Sequence, residues 1–119
     1  MLPVFDHDGS FHRMGNDRQL FDEMAGFVQD DAPVRLQEIR HGLAESNFSR
    51  VKLAVHSLKG LISNFGATRA VSAALKLESL LQQSRPMDGL ESAFQELQAA
   101  VEELQHALAA FCSKTSASL

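Results

Sequence analysis

Residues 51 to 65 read VKLAVHSLKGLISNF, and the way this stretch sorts its side chains decides the fold. Val51, Val55, Leu58, Ile62 and Phe65 recur at steps of four and three, the spacing of one apolar stripe on an α-helix. At about 100° per residue, His56 points roughly opposite the centre of that stripe, on a face shared with Lys52, Lys59, Gly60 and Ser63. A helix whose outward centre is an imidazole flanked by ammonium groups and a glycine is not shaped by packing alone.

On either side of this stretch the same helical period returns. Ser46-Asn47 is a short polar connection with capping capacity, and the His56 helix is predicted to run to about Asn64, with Gly66 marking its end. Thr68 is the predicted N-cap of the next helix, which carries Val71, Ala74, Leu75 and Leu81 inward and stops at Arg85-Pro86. In the last helix Leu90, Phe94, Leu97, Val101, Leu104, Leu108 and Phe111 keep a four-three spacing, leaving Glu91, Glu96, Glu102 and Glu103 to face water.

Upstream, Asn16 or Asp17 can cap a first long helix with Leu20, Phe21, Met24, Phe27 and Val28 at helical spacing. Asp30-Asp31-Ala32-Pro33 interrupts it, and a second helix is expected to start there and continue through Leu36, Ile39 and Leu43. Two helices and one kinked helix both fit the pattern. Nothing in the chain alternates like a strand, and short connections make neighbouring helices antiparallel.

The expectation is an all-α, antiparallel up-and-down four-helix bundle over residues 16–112. It is preceded by a lead-in over residues 1–15, where Pro3, two glycines, Phe5, Phe11 and Met14 suggest a short helix or turn on the bundle. Residues 113–119 are too polar and small to pack and are expected to form a flexible, frayed tail.

A chain of 119 residues with 45% hydrophobic content suits one globular domain. The lack of Trp and Tyr, with Leu, Ala and eight Phe supplying bulk, favours helix over sheet. No apolar stretch approaches the roughly 18 residues that span a bilayer, and no signal-peptide pattern opens the chain, so a soluble, cytoplasmic protein without membrane contact is expected. Cys112 is the only cysteine, which excludes an intrachain disulfide and a Cys-based zinc site.

A net charge of -4 argues against nucleic-acid binding, which draws on accumulated Lys and Arg. The charge is unevenly spread. Between Ser46 and Leu77 stand Arg50, Lys52, Lys59, Arg69 and Lys76 with no Asp or Glu, a stretch of +5 in a remainder of -9. Such a run reads either as a solvated face or as a local field tuned to an anionic group or partner.

A neutral imidazole on a helix surface offers one ring nitrogen as a nucleophile when the other holds the proton. For a phosphoryl group, the loose anionic transition state asks the protein for position and positive charge. Lys59, one turn along the same face, is placed to supply that charge. Gly60 in a helix interior costs roughly 0.5 to 1 kcal/mol against alanine; with Ser63 one turn on, it lowers the wall beside the imidazole, unless it admits a neighbouring helix instead.

His56-Ser-Leu-Lys59-Gly60, followed by Asn64-Phe65-Gly66-Ala67 and by Leu77-Glu78, resembles the signature of histidine-containing phosphotransfer domains. The similarity extends to Val4-Phe5-Asp6 at the start, to the segment from Phe27 to Pro33, and to the short loop before the His56 helix. The resemblance implies a four-helix bundle with His56 as phosphoacceptor, its Nε2 exchanging a phosphoryl group with an aspartate of a response-regulator receiver domain or taking it from a kinase. It implies no ATP site and no bound cofactor in this chain, the Mg2+ coming with the receiver.

By the same resemblance, Lys59 stabilises the phosphoryl group, while Lys52, Gly60, Ser63 and Asn64 lie where the partner approaches. Glu78 matches a family position often held by Gln or Glu, where the side chain can accept the Nδ1-H of the histidine. Val55 stands where the family commonly has a smaller Ala, and Leu61-Ile62 where small residues are usual. A monomeric carrier is implied, either free-standing or part of a hybrid sensor histidine kinase or a chemotaxis-type kinase.

His7, His12, His41 and His106 read as surface residues, since no helical His-x-x-x-His or Glu-x-x-His spacing groups them into a metal site. Two other readings of the chain are a helical regulatory module that binds partners without being phosphorylated, and a metal-binding bundle. The second lacks the inward carboxylate and histidine set it would need.

Overall fold

A computed structural model describes residues 4–83 and 89–117, with side chains as far as Cys112. Its helices begin where a short polar side chain takes up a free backbone N–H. Asp6 accepts from Gly9 at the start of α1 (His7–Arg13), Asp17 from Leu20 at the start of α2 (Arg18–Ala44), and Asn47 from Arg50 at the start of α3 (Phe48–Ser63). Each such cap stabilises its helix by about 1 kcal/mol. Asp17 is therefore the cap of α2, while Asn16 takes a left-handed φ of 59° in the turn before it.

α4 (Thr68–Leu81) departs from this pattern and from the expectation. Thr68 is already helical, and the N-cap is Ala67, which has no side-chain bond to give. Ala67 is buried in the core, and the chain reverses at Gly66 (φ 59°), whose carbonyl accepts the Thr68 N–H at 3.0 Å. The turn is thus set by a left-handed glycine and a buried methyl, and Thr68 is left exposed. α4 ends at Leu81; the Arg85-Pro86 stop lies outside the described residues.

α5 (Leu90–Ala117) follows Gly89, whose carbonyl accepts the Ala93 N–H. Its backbone stays helical past Ser113, where the sequence pattern suggested fraying.

α2 runs unbroken through Pro33, so the interruption expected at residues 30–33 does not occur. Proline removes one helical hydrogen bond and crowds the preceding turn, at a cost of about 3 kcal/mol. Two features offset that cost. Val28, Ala32, Leu36 and Ile39 keep one buried stripe in phase across the proline. The preceding turn is also clamped to α5: the Gln29 amide donates to the Gln105 carbonyl at 2.7 Å, and the Gln105 amide to the Val28 carbonyl at 3.4 Å.

Helices α2 to α5 form a closed ring of neighbours, α2 on α3, α3 on α4, α4 on α5 and α5 back on α2. Cross-helix pairs give the antiparallel sense directly. Arg69 meets Glu103 and Lys76 meets Glu96 between α4 and α5, while Gln29 meets Gln105 and Arg40 meets Gln98 between α2 and α5. In both cases residue numbers rise on one helix as they fall on the other. Among the described residues the protein is an all-α, up-and-down four-helix bundle preceded by one short helix.

The core is filled by Phe21, Ile39, Leu58, Ile62, Phe65, Leu77, Phe94, Leu97, Leu104 and Leu108, all essentially inaccessible. Each contributes about 1.5–3 kcal/mol by leaving water. The α4 stripe is Ala70, Ala73, Ala74, Leu77 and Leu81. Leu75, expected inward, is 50% exposed because it lies beyond the edge of that stripe, and Val71 is only partly buried. No described helix is long and apolar enough to cross a membrane.

The lead-in is tied to the end of the His56 helix. Phe5 is buried against Phe21, Phe65 and Phe111, the Asp6 N–H donates to the Phe65 carbonyl at 2.7 Å, and Arg13 Nε donates to the Asn64 carbonyl at 3.1 Å. These bonds use carbonyls that a helix C-terminus leaves without partners. Beside this cluster, burial followed by the charge of Asp22 pushes the Cys112 thiol pKa up.

Candidate functional site

α3 positions the site because its two faces are chemically distinct. Val51, Ala54, Val55, Leu58 and Ile62 are buried, which fixes the rotation of the helix about its axis. His56 is consequently held outward, exposed, and no described residue hydrogen-bonds to it. Lys52 and Ser63 share that exposure. The bulky Val55 and Ile62 are accommodated in the core, and Leu61 packs at its edge.

Gly60 lies one turn beyond His56 and faces open space: a Cβ built there would meet no atom within 4 Å. No neighbouring helix requires the glycine. The Ser63 hydroxyl and the Asn64 amide both donate to the Gly60 carbonyl at 3.4 Å, turning these side chains back along the helix. Asn64 is the C-cap and is partly buried, so it contributes less open surface than Ser63.

Lys59 leans toward α4, where its Nζ lies 2.8 Å from Glu78 Oε1. Both side chains are half-buried, with 27% and 23% of their surfaces exposed. Glu78 Oε1 is inaccessible and receives no aligned hydrogen bond, so the contact with Lys59 is charge to charge. The structure therefore brings Glu78 to Lys59 and shows no bond between Glu78 and His56.

The acid-free stretch from Ser46 to Leu77 is not an open positive field. Arg50 pairs with Glu45, Lys59 with Glu78, Arg69 with Glu103 and Lys76 with Glu96, each acid lying outside the stretch. Among the described residues Lys52, one turn before His56, is the cation of this stretch without an acidic partner.

Sequence patterning passed over Leu53 and placed Leu75 inward, and both are exposed. Leu53 is 72% exposed on α3, beside Gly60 in the helical projection, and Leu75 is 50% exposed on α4, one turn before Glu78. For Leu53 a signal existed, since it falls outside the apolar stripe. For Leu75 the signal was the run Ala73-Ala74 beside it, which fills the inward positions with methyl groups.

His7, His12, His41 and His106 are all exposed, and His7 packs at a tilt against Phe5 and Phe111, its ring centroid 4.3 and 4.9 Å from theirs. No three His, Cys, Asp or Glu side chains are grouped to hold a metal ion among the described residues. No curated protein and no solved structure gives a significant match to the chain. The sequence model of the Hpt domain matches residues 23–107, which take in most of α2, all of α3 and α4, and α5 as far as Ala107. With well over half of its length matched, the chain belongs to the Hpt domain family, whose members carry phosphoryl groups on histidine in two-component phosphorelay signalling.

Proposed function

We propose that His56 is the phosphoacceptor of this domain and exchanges its phosphoryl group with an aspartate of a response-regulator receiver domain. The observation that carries this reading is an exposed imidazole at the outward centre of α3, followed one turn later by a glycine that faces open space. A nucleophile that must meet an aspartate in a second protein has to be accessible, and a flat wall beside it lets that protein approach.

In the forward step the lone pair of His56 Nε2 forms the P–N bond while the P–O bond to the aspartyl phosphate breaks, and the aspartate leaves as a carboxylate. The reverse step returns the phosphoryl group to a carboxylate oxygen and frees the imidazole. The transition state is loose and anionic, so positioning and positive charge lower its barrier. Lys59 and Lys52, each about one turn from His56, supply charge on this face. The receiver contributes its own aspartate and Mg2+, and the domain acts as a carrier between partners.

Gly60, Ser63 and the cation Lys52 form the surface we assign to the receiver, with Asn64 at its edge. A hybrid sensor histidine kinase is the proposed upstream source of the phosphoryl group. Incubation with a phosphorylated receiver is expected to label the wild type with an acid-labile phosphoryl group and to leave His56→Gln unlabelled. Equal labelling of both proteins would remove His56 from this role. Lys59→Ala should slow transfer while the bundle still unfolds in one cooperative transition, and an unchanged rate would return Lys59 to a purely structural pair.

A further inference from the structure

We infer that Glu78 is a positioning residue that competes with the phosphoryl group for Lys59, and so slows the release of that group from His56. The inference rests on His56 being the phosphoacceptor. Its basis is the 2.8 Å contact between Lys59 Nζ and Glu78 Oε1, made by two half-buried side chains, together with the absence of any hydrogen bond from a described residue to His56. Lys59 and His56 are three residues apart on α3 and therefore neighbours on its surface.

In the unphosphorylated protein the Lys59 charge is already committed. A phosphoryl group on His56 brings about two negative charges to the same neighbourhood, and one ammonium must then serve both it and Glu78. The carboxylate holds Lys59 by charge, its Oε1 being inaccessible and paired with no other described cation. The flexible stem of Lys59 lets its ammonium swing between the two anions. Glu78 thus keeps part of the positive charge away from the phosphoryl oxygens.

The consequence can be followed in the loss of the group to water. There the P–N bond breaks with its electron pair going to the imidazole nitrogen, which takes a proton, while water supplies the oxygen that completes inorganic phosphate. This cleavage passes through the same loose, anionic transition state as transfer to aspartate. An ammonium held on the phosphoryl oxygens neutralises their charge and speeds the loss, as it speeds transfer. Removing the Glu78 charge releases Lys59 to the phosphoryl group and should shorten its lifetime, whereas a partner that only accepts the imidazole N–H would act on the tautomer instead.

The test uses phosphoramidate as donor, so that no partner protein is needed: its own P–N bond breaks, ammonia leaves with the electron pair, and the phosphoryl group passes to the imidazole. Wild type, Glu78→Gln, Lys59→Ala and the double variant are labelled, checked for intact thermal transitions, and followed for loss of phosphoryl group at neutral pH. Glu78→Gln is expected to speed the loss roughly two- to fivefold, the effect of one partly exposed ion pair, and to have no effect in the Lys59→Ala background. The nitrogen NMR signals of His56 should show the same tautomer with Glu78 and with Gln.

Equal lifetimes of wild type and Glu78→Gln, or the same change with and without Lys59, would overturn the inference while leaving His56 as the phosphoacceptor. A changed tautomer in Glu78→Gln would overturn it in favour of direct contact with the imidazole. Failure of the wild type to take up phosphoryl on His56 would overturn both readings together.

Discussion

Gly42 of α2 and Gly60 of α3 both stand inside helices, where each costs roughly 0.5–1 kcal/mol against alanine, yet their surroundings are opposite. A Cβ on Gly42 would lie 2.6 Å from Val51 Cγ2 and 3.3 Å from the Asn47 carbonyl, so this glycine is what allows α2 to close on α3. A Cβ on Gly60 would touch nothing. The first glycine is explained by the fold. The second is explained only by something outside it, and it lies on the same face as His56.

The contrast between the inward and outward sides can be broken by substitution. The largest effect is expected at Leu58, fully buried two residues from His56: Leu58→Ala should destabilise the bundle by about 2–5 kcal/mol in denaturant unfolding. His56→Gln should change it by less than about 0.5 kcal/mol. Comparable losses would mean that His56 is part of the packing.

Next comes Gly42→Ala, which should cost about 1–3 kcal/mol because the stiff, buried Val51 has little room to move. Smaller than either packing effect is that of Gly60→Ala, which should stabilise the domain by about 0.5–1 kcal/mol and yet slow phosphoryl exchange with the receiver. A Gly60→Ala protein that is more stable and transfers at the wild-type rate would show that the open wall is not used.

What could be read from the sequence follows the range of the interactions concerned. The stripes of α3 and α5 were legible because each is a periodic pattern within one helix, and the outward direction of His56 follows from the same period. The continuity of α2 was not, since the clamp between Gln29 and Gln105 joins residues far apart in the chain. Thr68 looked like a cap by type, but burial of Ala67 moved the turn by one residue.

The pairing of Lys59 with Glu78 was likewise hidden, as it depends on how α3 and α4 are rotated against each other. The acid-free stretch misled for the same reason. It is acid-free along the chain, but in space Arg69 and Lys76 meet acids of α5.

The central claim is that the phosphoryl group resides on His56. The protein contains five histidines, all exposed, so the most direct measurement is to locate the group. Peptide mass spectrometry of the wild type, phosphorylated by a receiver and kept at alkaline pH to preserve the P–N bond, should place the added phosphoryl on the peptide carrying His56 and on no other. A phosphoryl group on His7, His12, His41 or His106, with His56 unmodified, would contradict the account.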